Sequence, residues 1–226
     1  MTEDFPITAQ NQVKRLPKRA HYDRATIYAI LDEALICQVA FIQDGQPMVI
    51  PLLHARDEER ILLHGSQSSR LMNYLASGGE VCLTATLLDG IVLARSVFHH
   101  AVNYRSVVIF GHGQAIEDPA EKLAALQIFT ERLIPQRWDE ARSPNDRELS
   151  ATAVVGVTIE SASAKVRSGE AAEEEADMDL PVWAGLLPLN LTAGTPIPDP
   201  ELRPGIALPD YIRLYQPGNR FDPLKK

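Results

Sequence analysis

The sequence has little cysteine, no long apolar run and no excess of positive charge. Its two cysteines, Cys37 and Cys82, lie in apolar runs, so we expect buried thiols in a reducing compartment. No apolar stretch is long enough to span a membrane and the start MTEDFPITAQ is no targeting segment, which predicts a cytoplasmic protein with no membrane partner. The formal charge of −8 and the scattered basic residues argue against nucleic acid as a partner.

Several signatures of catalysis are missing as well. There is no G-x-S-x-G sequence and no persuasive Ser/His/Asp set, which excludes the common serine hydrolases. The run GHGQAI at 111–116 begins like a dinucleotide fingerprint but lacks the third glycine and a following helix. His99 and His100 are adjacent and would point apart on a strand, and no cysteine or carboxylate stands at ligand spacing around them. We therefore predict no metal site.

What the sequence does contain is a series of short strands. ICQVAFI and PMVIPLLHA flank an Asp-Gly hairpin signal, and Pro51 predicts an edge strand or a bulge. EVCLTATL and IVLARSVF predict a second strand–turn–strand about Asp89–Gly90. Gly111 and Gly113 predict a bend in the next strand, and ATAVVGVTIESASAKVRSG predicts one last long strand.

Helix signals fall between these strands, at Asp23, near Ser68 and at Pro119. The pattern predicts a mainly β protein with helices (α+β): an antiparallel, closed or nearly closed barrel with covering helices. A doubly wound parallel sheet fits poorly because strands and helices do not alternate. We predict a leader at 1–20, the barrel domain at 21–189 and a proline-rich tail at 190–226 that wraps a surface.

Two groups of donors could bind an anion or a polar heterocycle. Ser69 and Arg70 lie in the first turn of the second predicted helix, which is a ready anion site, although a solvated serine cap is the alternative. Arg95 and Ser96 end one predicted strand while Arg105 and Ser106 begin the next, so pairing of these strands would gather four donors at one rim. A hydrated barrel mouth is the alternative there.

Lys165 lies between an alanine and a valine on the last predicted strand, with Arg167 on the same side by the period of two. A partly buried lysine needs a partner. Either an electron-rich heterocycle with carbonyl acceptors or an acidic side chain would serve.

Four segments in this order resemble the pyridoxamine 5′-phosphate oxidase-like superfamily of FMN-binding split barrels, in its flavin-nucleotide-binding and nitroimidazole-resistance (Nim) branch. They are LLHGSQSSRL, DGIVLARSVFHHAVNYRSVVIFGHGQAIED, SAKVRSG and LPVWAGLLPL. The resemblance implies an antiparallel, Greek-key-like split barrel that binds FMN at the interface of a homodimer.

The resemblance also implies which residues contact FMN. Ser69 and Arg70 would hold the phosphate, and Lys165 near the pyrimidine edge would stabilise the reduced flavin. His64, the one catalytic candidate, would supply a proton or orient a substrate. The predicted cofactor-binding residues are Val49, Ile50, Pro51, Leu52, Leu63, His64, Gly65, Ser69, Arg70, Arg105, Ser106, Lys165, Arg167 and Trp183.

Departures from the family pattern limit what carries over. Leu71 stands where the oxidases have a basic residue after Ser-Arg, and the tail lacks their basic C-terminal segment. The resemblance therefore implies an FMN-dependent oxidoreductase related to the oxidase but distinct from it. It would pass electrons from a reduced nicotinamide to a small-molecule acceptor, a nitroaromatic compound being one candidate.

Two alternatives stay open at this point. One is a flavin-binding or sensing module without turnover. The other is a split barrel that uses deazaflavin or haem. The resemblance implies a C-terminal histidine in a split barrel that binds haem. No histidine follows His112 in this sequence, which counts against haem.

Overall fold

Ten strands form one branched antiparallel sheet in the computed structural model, which describes residues 4–215. The strands are β1 (Ala20–His21), β2 (Ile36–Gln43), β3 (Gln46–Leu53), β4 (Ala55–Asp57), β5 (Arg60–Ser66), β6 (Glu80–Leu93), β7 (Ala101–Ala115), β8 (Thr152–Thr158), β9 (Ser161–Arg167) and β10 (Gly185–Pro188). The helices are α1 (Arg24–Glu33), α2 (Arg70–Ala76), α3 (Pro119–Leu133), α4 (Arg137–Glu140), α5 (Asp146–Ala151) and α6 (Asp210–Arg213).

The order of hydrogen-bonded strands is β3-β2-β6-β7-β8-β5-β4, with β9 on β7, β1 on β9 and β10 on β6. The sheet curls until β3 approaches β5. No ladder joins these two strands in the described part of the chain, so the sheet is not closed. The predicted antiparallel split barrel with covering helices is confirmed, and we call the gap between β3 and β5 the split.

The hairpin from β2 to β3 turns as predicted. Asp44 and Gly45 both adopt left-handed backbone conformations, with φ of 52° and 74°. Two left-handed residues match the right-handed twist of the flanking strands. Pro51 lies on β3, whose outer side is an edge, so its missing N–H interrupts no ladder on that side.

A sharp corner in β7 lets this strand serve two parts of the sheet. Residues 104–110 pair with β9, whereas Gly113–Ala115 pair with β8. A Cβ atom on Gly111 would lie 2.0 Å from the carbonyl oxygen of Thr158, and one on Gly113 would lie 2.3 Å from that of Leu75. The bend predicted at these glycines is confirmed, because only glycine permits such close backbone approach.

The turn predicted at Asp89–Gly90 is wrong, since β6 runs without a break through both residues. The register against β7 shifts between Leu88 and Gly90, which is a β-bulge. Asp89 accepts hydrogen bonds from Arg105, and a Cβ atom on Gly90 would lie 2.8 Å from Cδ1 of Leu186 on β10. The Asp-Gly pair therefore admits a neighbouring strand instead of reversing the chain.

The single long strand predicted at the end of the domain is also wrong. It divides into β8 and β9 beside the corner of β7. The amide of Ile159 donates to the carbonyl of Glu59 and that of Glu160 to the carbonyl of Phe110, so the ladder is interrupted there.

The core lies between the curled sheet and the helices α1 and α2. Apolar side chains at helical spacing, Ile27, Ile30 and Leu31 on α1, are buried against the inner strand faces. A smaller apolar cluster under α3 includes Phe129 and Leu62.

The predicted leader packs on the barrel, and the predicted tail contacts α4 through a hydrogen bond from Arg137 to the hydroxyl of Tyr211. Phe5 is 2% exposed, and the side-chain Nδ2 of Asn11 donates to the carbonyl of Ala162 at 3.1 Å, so part of the leader packs on the core. In the tail, residues 190–209 form no helix or strand, and α6 follows. Residues 1–3 and 216–226 of these two predicted segments lie outside the described residues. Across 4–215, no helix has the length and apolar character needed to cross a membrane.

Candidate functional site

A cavity of about 410 Å³ lies at the split, where β3 ends, β5 passes and α3, α4 and α5 cover the opening. Its size is within the roughly 300–1,000 Å³ typical of small-molecule sites. The walls are mainly apolar side chains: Leu35, Leu53, Leu126, Phe129, Leu133, Trp138 and Pro144. The polar lining is His54, His64, Thr130, Arg132, Glu148 and Thr152. We call this space the split cavity.

His64 is the predicted site residue that lines the split cavity. It lies on β5 opposite Val154 of β8, and its ring packs edge-on to Phe129 with 4.4 Å between centroids. Its Nδ1 is buried without a hydrogen-bond partner among the described residues. Burial lowers the pKa of His64, so the imidazole is neutral near pH 7. Since His64 lines the cavity and its Nδ1 is buried, Nε2 is the nitrogen available to a ligand there.

His54 lines the same cavity from the link between β3 and β4. Its Nε2 lies 3.0 Å from the carbonyl oxygen of Leu31 and must donate to it, which leaves Nδ1 as a buried acceptor without a partner in the described residues. Burial, with the charge of Arg132 in second place, lowers the pKa of His54 to about 4. His54 is therefore neutral as well.

Neither His54 nor Arg132 was singled out from the sequence. The repeated Leu-Leu-His at 52–54 and 62–64 was a usable signal for His54, because the first copy lies at the end of β3 and the second within β5, the two strands that border the split. Arg132 carries no comparable signal, since it is one of several charged residues in the last turns of an amphipathic helix.

The predicted phosphate-binding residues lie directly after β5. Ser69 is the N-cap of α2, and its Oγ accepts from the amide of Met72 at 3.4 Å. Arg70 is exposed and has no hydrogen-bond or ion-pair partner in the described chain. A Cβ atom on Gly65 would lie 3.1 Å from Cγ of Met72, which explains how closely β5 approaches this helix. The structure thus brings His64, Gly65, Ser69 and Arg70 together.

The predicted residues on β3 and Leu63 divide by side-chain direction. Ile50 and Leu52 pack on the core, whereas Pro51 is exposed and Val49 is 62% exposed. Leu63 is fully buried in the core, so only its backbone is near the split. A cofactor here would meet mainly backbone atoms of the two strands.

Arg105 is held in a different region, by two carboxylates. Its Nη2 donates to Glu33 at 2.7 Å and to Asp89 at 2.8 Å, its Nε donates to Asp89 at 3.0 Å, and its Nη1 also donates to Glu33. The bonds to Glu33 and then to Asp89 raise the pKa of Arg105. Its donors are engaged within the chain, and a contact with the cofactor stays a prediction.

The other predicted residues lie near Arg105 on β7 and β9. Ser106 and Lys165 are paired in register, and Ser106 Oγ donates to the Lys165 carbonyl at 3.3 Å. Lys165 is half-buried, with no side-chain partner among the described residues. Arg167 donates to Asn103 and to the carbonyl of Glu170. We call Arg105, Ser106, Lys165 and Arg167 the rim group.

The expected gathering of Arg95, Ser96, Arg105 and Ser106 does not occur. Arg95 donates to Glu173 at 3.0 Å, in the acidic segment before β10. Arg105 pairs with Leu87 in register, well inside the hairpin. Trp183 is 67% exposed, with its ring against Gly185.

The rim group and the split cavity are distinct but meet at the C-terminal end of α1, where Arg105 donates to Glu33 and the cavity residue Arg132 donates to the carbonyl of Ala34. His64 is opposite Val154 on β8, and the neighbouring Val155 pairs with Ala115 at the end of β7. Ser106 lies nine positions from Ala115 on that strand, on the other side of the corner at Gly111 and Gly113, so it has different neighbours in the sheet from His64. A single chain therefore presents two groups of predicted site residues.

The described residues contain no cluster of three or more His, Cys, Asp or Glu side chains that could hold a metal ion. His112 bonds Glu160 at 2.9 Å and His99 lies 3.5 Å from Glu174, so each imidazole has a carboxylate neighbour. A metal bound through one protein ligand, as in a haem, is outside this pattern.

Comparison with known proteins gives the same fold. The chain is 37% identical to the flavocytochrome Anf3 from Azotobacter vinelandii, with 92% of this chain and 97% of that chain covered and a TM-score of 0.86. It is 31% identical to the FAD and haem binding protein from Mycobacterium smegmatis, with 86% and 96% covered and a TM-score of 0.82.

A structure from Bacteroides thetaiotaomicron, described as a 5-nitroimidazole antibiotic resistance protein, is 24% identical over 65% of this chain and 86% of that chain, with a TM-score of 0.56. This likeness shows the fold alone. None of the curated proteins compared with the chain matches it.

Residues 23–166 match the pyridoxamine 5′-phosphate oxidase family, and this range runs from the N-cap of α1 almost to the end of β9. The match covers more than half of the chain and takes in the split, α2 and most of the rim group. The chain belongs to the pyridoxamine 5′-phosphate oxidase family and has its split-barrel fold.

Proposed function

We propose that this chain is a flavin-dependent electron-transfer protein that also holds a haem in the split cavity. The observation that carries the proposal is His64, a neutral imidazole with Nε2 available to a ligand in a space with apolar walls. The two relatives that share at least 31% identity, described as a flavocytochrome and as an FAD and haem binding protein, support it.

The residues of the split cavity fit a haem. A neutral histidine nitrogen is the commonest iron ligand in haem proteins, and apolar walls suit the flat macrocycle. Phe129 packs against the His64 ring and limits its rotation. A bound haem would supply one-electron chemistry and a bound flavin both hydride and one-electron chemistry. His64 would hold and orient the haem. The sequence counted against a haem because no histidine follows His112, but His64 would supply the iron ligand from β5 instead.

The flavin would lie beside this cavity. Ser69 and Arg70 would bind its phosphate, and the edge of β3 with the end of β5 would face its ring. We propose that the cofactor is a flavin, either FMN or FAD. FAD is included because one of the two relatives is described as an FAD and haem binding protein, and neither description mentions FMN.

A second copy of the chain would complete the flavin site. The family resemblance implies a homodimer with the flavin at its interface, in which the rim group of one protomer would face the flavin held by Ser69 and Arg70 of its partner. Large apolar side chains support such an interface, since Val97 is 88% exposed and Phe98 is 87% exposed beside the start of β7.

The electron donor and acceptor are proposed as the sequence suggested. A reduced nicotinamide would supply electrons and a small molecule, with nitroaromatic compounds as one class, would receive them. Free thiols at Cys37 and Cys82 support the cytoplasmic location. Anaerobic mixing with NADH or NADPH should bleach the flavin absorbance, whereas no bleaching by either would favour the sensing module.

The test begins with the full chain as purified. Its absorbance spectrum should show a flavin and, after haem is supplied, a sharpened and shifted Soret band. The released chromophores are then identified by mass spectrometry. Light scattering on the same sample should give twice the 25.0 kDa mass of one chain.

His64→Gln is the decisive variant, because glutamine keeps much of the bulk and removes the imidazole. We expect it to lose the shifted Soret band and to retain the flavin. The matched control is His112→Gln, whose exposed ring is bonded to Glu160. A His64→Gln protein with the wild-type haem spectrum and affinity would disprove the haem site.

A further inference from the structure

Arg132 is a half-buried cation in the wall of the split cavity. It lies in the last turn of α3, and its Nη2 donates to the carbonyls of Leu31 and Ala34 at 2.5 Å each. These carbonyls belong to the C-terminal end of α1. Nε of Arg132 is buried without a partner in the described residues, so the guanidinium is only partly satisfied.

His54 meets Arg132 on the same carbonyl. The oxygen of Leu31 accepts from His54 Nε2 at 3.0 Å and from Arg132 Nη2 at 2.5 Å. Two basic side chains from different elements therefore converge at one point of the cavity wall. Since His54 is neutral, Arg132 contributes the positive charge there.

The charged groups around Arg132 do not balance it. Arg56 repels it and is itself paired with Asp32 at 2.7 Å. Glu148 also lines the cavity, but both of its oxygens are bonded to Arg142. Among the described residues, no carboxylate lies within ion-pair distance of Arg132. A half-buried guanidinium without a counter-ion, with its Nε buried and unpartnered, carries a desolvation cost that an anionic ligand would offset.

We propose that Arg132 binds a carboxylate of the ligand in the split cavity, which makes the cavity selective for flat apolar molecules that carry an acid group. Haem propionates have this chemistry. The inference rests on the proposed function, and it adds the group that orients the ligand: His64 holds one part of the molecule and Arg132 its acidic edge.

The charge of Arg132 suits this role. Burial, then the neighbouring Arg56, lowers its pKa, but an arginine stays protonated across the range in which a carboxylate is ionised. A carboxylate could accept hydrogen bonds from the unused donors of the guanidinium. The apolar walls would strengthen these bonds by excluding water.

The test changes the ligand before it changes the protein. The full chain, freed of haem, is titrated with haem b and with haem b dimethyl ester, whose propionates carry no charge. We expect the wild type to prefer haem b by ~10-fold or more, the effect of one charge-assisted hydrogen bond in a dry site. Arg132→Met should remove the preference, Arg132→Lys should keep part of it, and Arg203→Met, a change in the exposed tail, should leave it whole.

The possible outcomes separate the two proposals. Equal wild-type affinity for both compounds would overturn the role of Arg132 and leave the haem site standing. A preference that persists in Arg132→Met would overturn it too, by assigning the carboxylate to another cation. Failure of the wild type to bind either compound would overturn both. The comparison of haem b with its dimethyl ester in the wild type does not depend on whether an Arg132 variant folds.

Discussion

The two arginines of the rim group and the basic side chains of the split cavity are in opposite states. At the rim, the guanidinium of Arg105 forms ion pairs with Glu33 and Asp89, and Arg167 donates a hydrogen bond to Asn103. In the cavity, His64 and Arg132 keep unpartnered nitrogens within the described structure. Donors that are satisfied internally hold the fold together, whereas donors left open beside a cavity are available to a ligand. Residue type alone does not separate these two roles.

The largest expected effect in the split cavity is the loss of folding stability at acid pH caused by His54. His54 is neutral when folded, with a pKa of about 4 against 6.5 when unfolded. Because the unfolded chain binds the proton more tightly, this stability is complete above pH 6.5 and is lost as the pH falls toward 4. The difference corresponds to about 3 kcal/mol.

Urea denaturation at a series of pH values from about 7.5 down to about 4, a range that spans both pKa values, would measure this loss. His54→Gln should flatten the acid limb even if the variant is less stable throughout. Equal slopes for wild type and variant would mean that folding does not lower the pKa of His54, and the cavity wall would then carry two cations below pH 6.5.

A smaller effect is expected at the rim, from Arg105→Met. The change leaves Glu33 and Asp89 facing each other without a counter-charge, which should cost about 1–2 kcal/mol, below the value for a buried pair because all three side chains are about one-third exposed. Arg213→Met is the control, since its pair with Asp210 is exposed and is worth under about 0.5 kcal/mol.

The flavin content of the Arg105→Met protein shows whether Arg105 is a structural residue or a cofactor ligand. An unchanged flavin content with reduced stability would support a structural role for Arg105. Loss of flavin at unchanged stability would instead break the contrast, because it would make the rim arginine a cofactor ligand as the sequence predicted.

The smallest expected effect is a change of redox potential without loss of stability. Lys165 is the rim residue without a described partner, and a cation near the flavin would stabilise its anionic reduced form. Lys165→Met should therefore lower the flavin midpoint potential, measured by spectroelectrochemical titration. Lys14→Met, an exposed change in the leader, should not. An unchanged potential in the Lys165 variant would remove this residue from the site.

Local patterns predicted most of the fold. The Asp44–Gly45 hairpin, the Asp23 cap and the glycine corner of β7 follow from backbone chemistry within a few residues, and the helix predicted to begin near Ser68 begins at Arg70 with Ser69 as its N-cap. The two wrong boundaries, at Asp89–Gly90 and at Ile159–Glu160, have one cause. In each case a strand from elsewhere in the chain packs at that point, and a local signal cannot report it.

The sequence by itself determined the strand and helix pattern, the family resemblance and the candidate status of His64, Ser69 and Arg70, since these depend on neighbouring residues or on a recognisable motif. Only the tertiary structure decided which donors are open. Arg132 and Leu31 are 101 positions apart, yet they meet beside His54 because α3 covers the split. Whether a buried donor already has its partner depends on such packing, and packing is set by the whole fold.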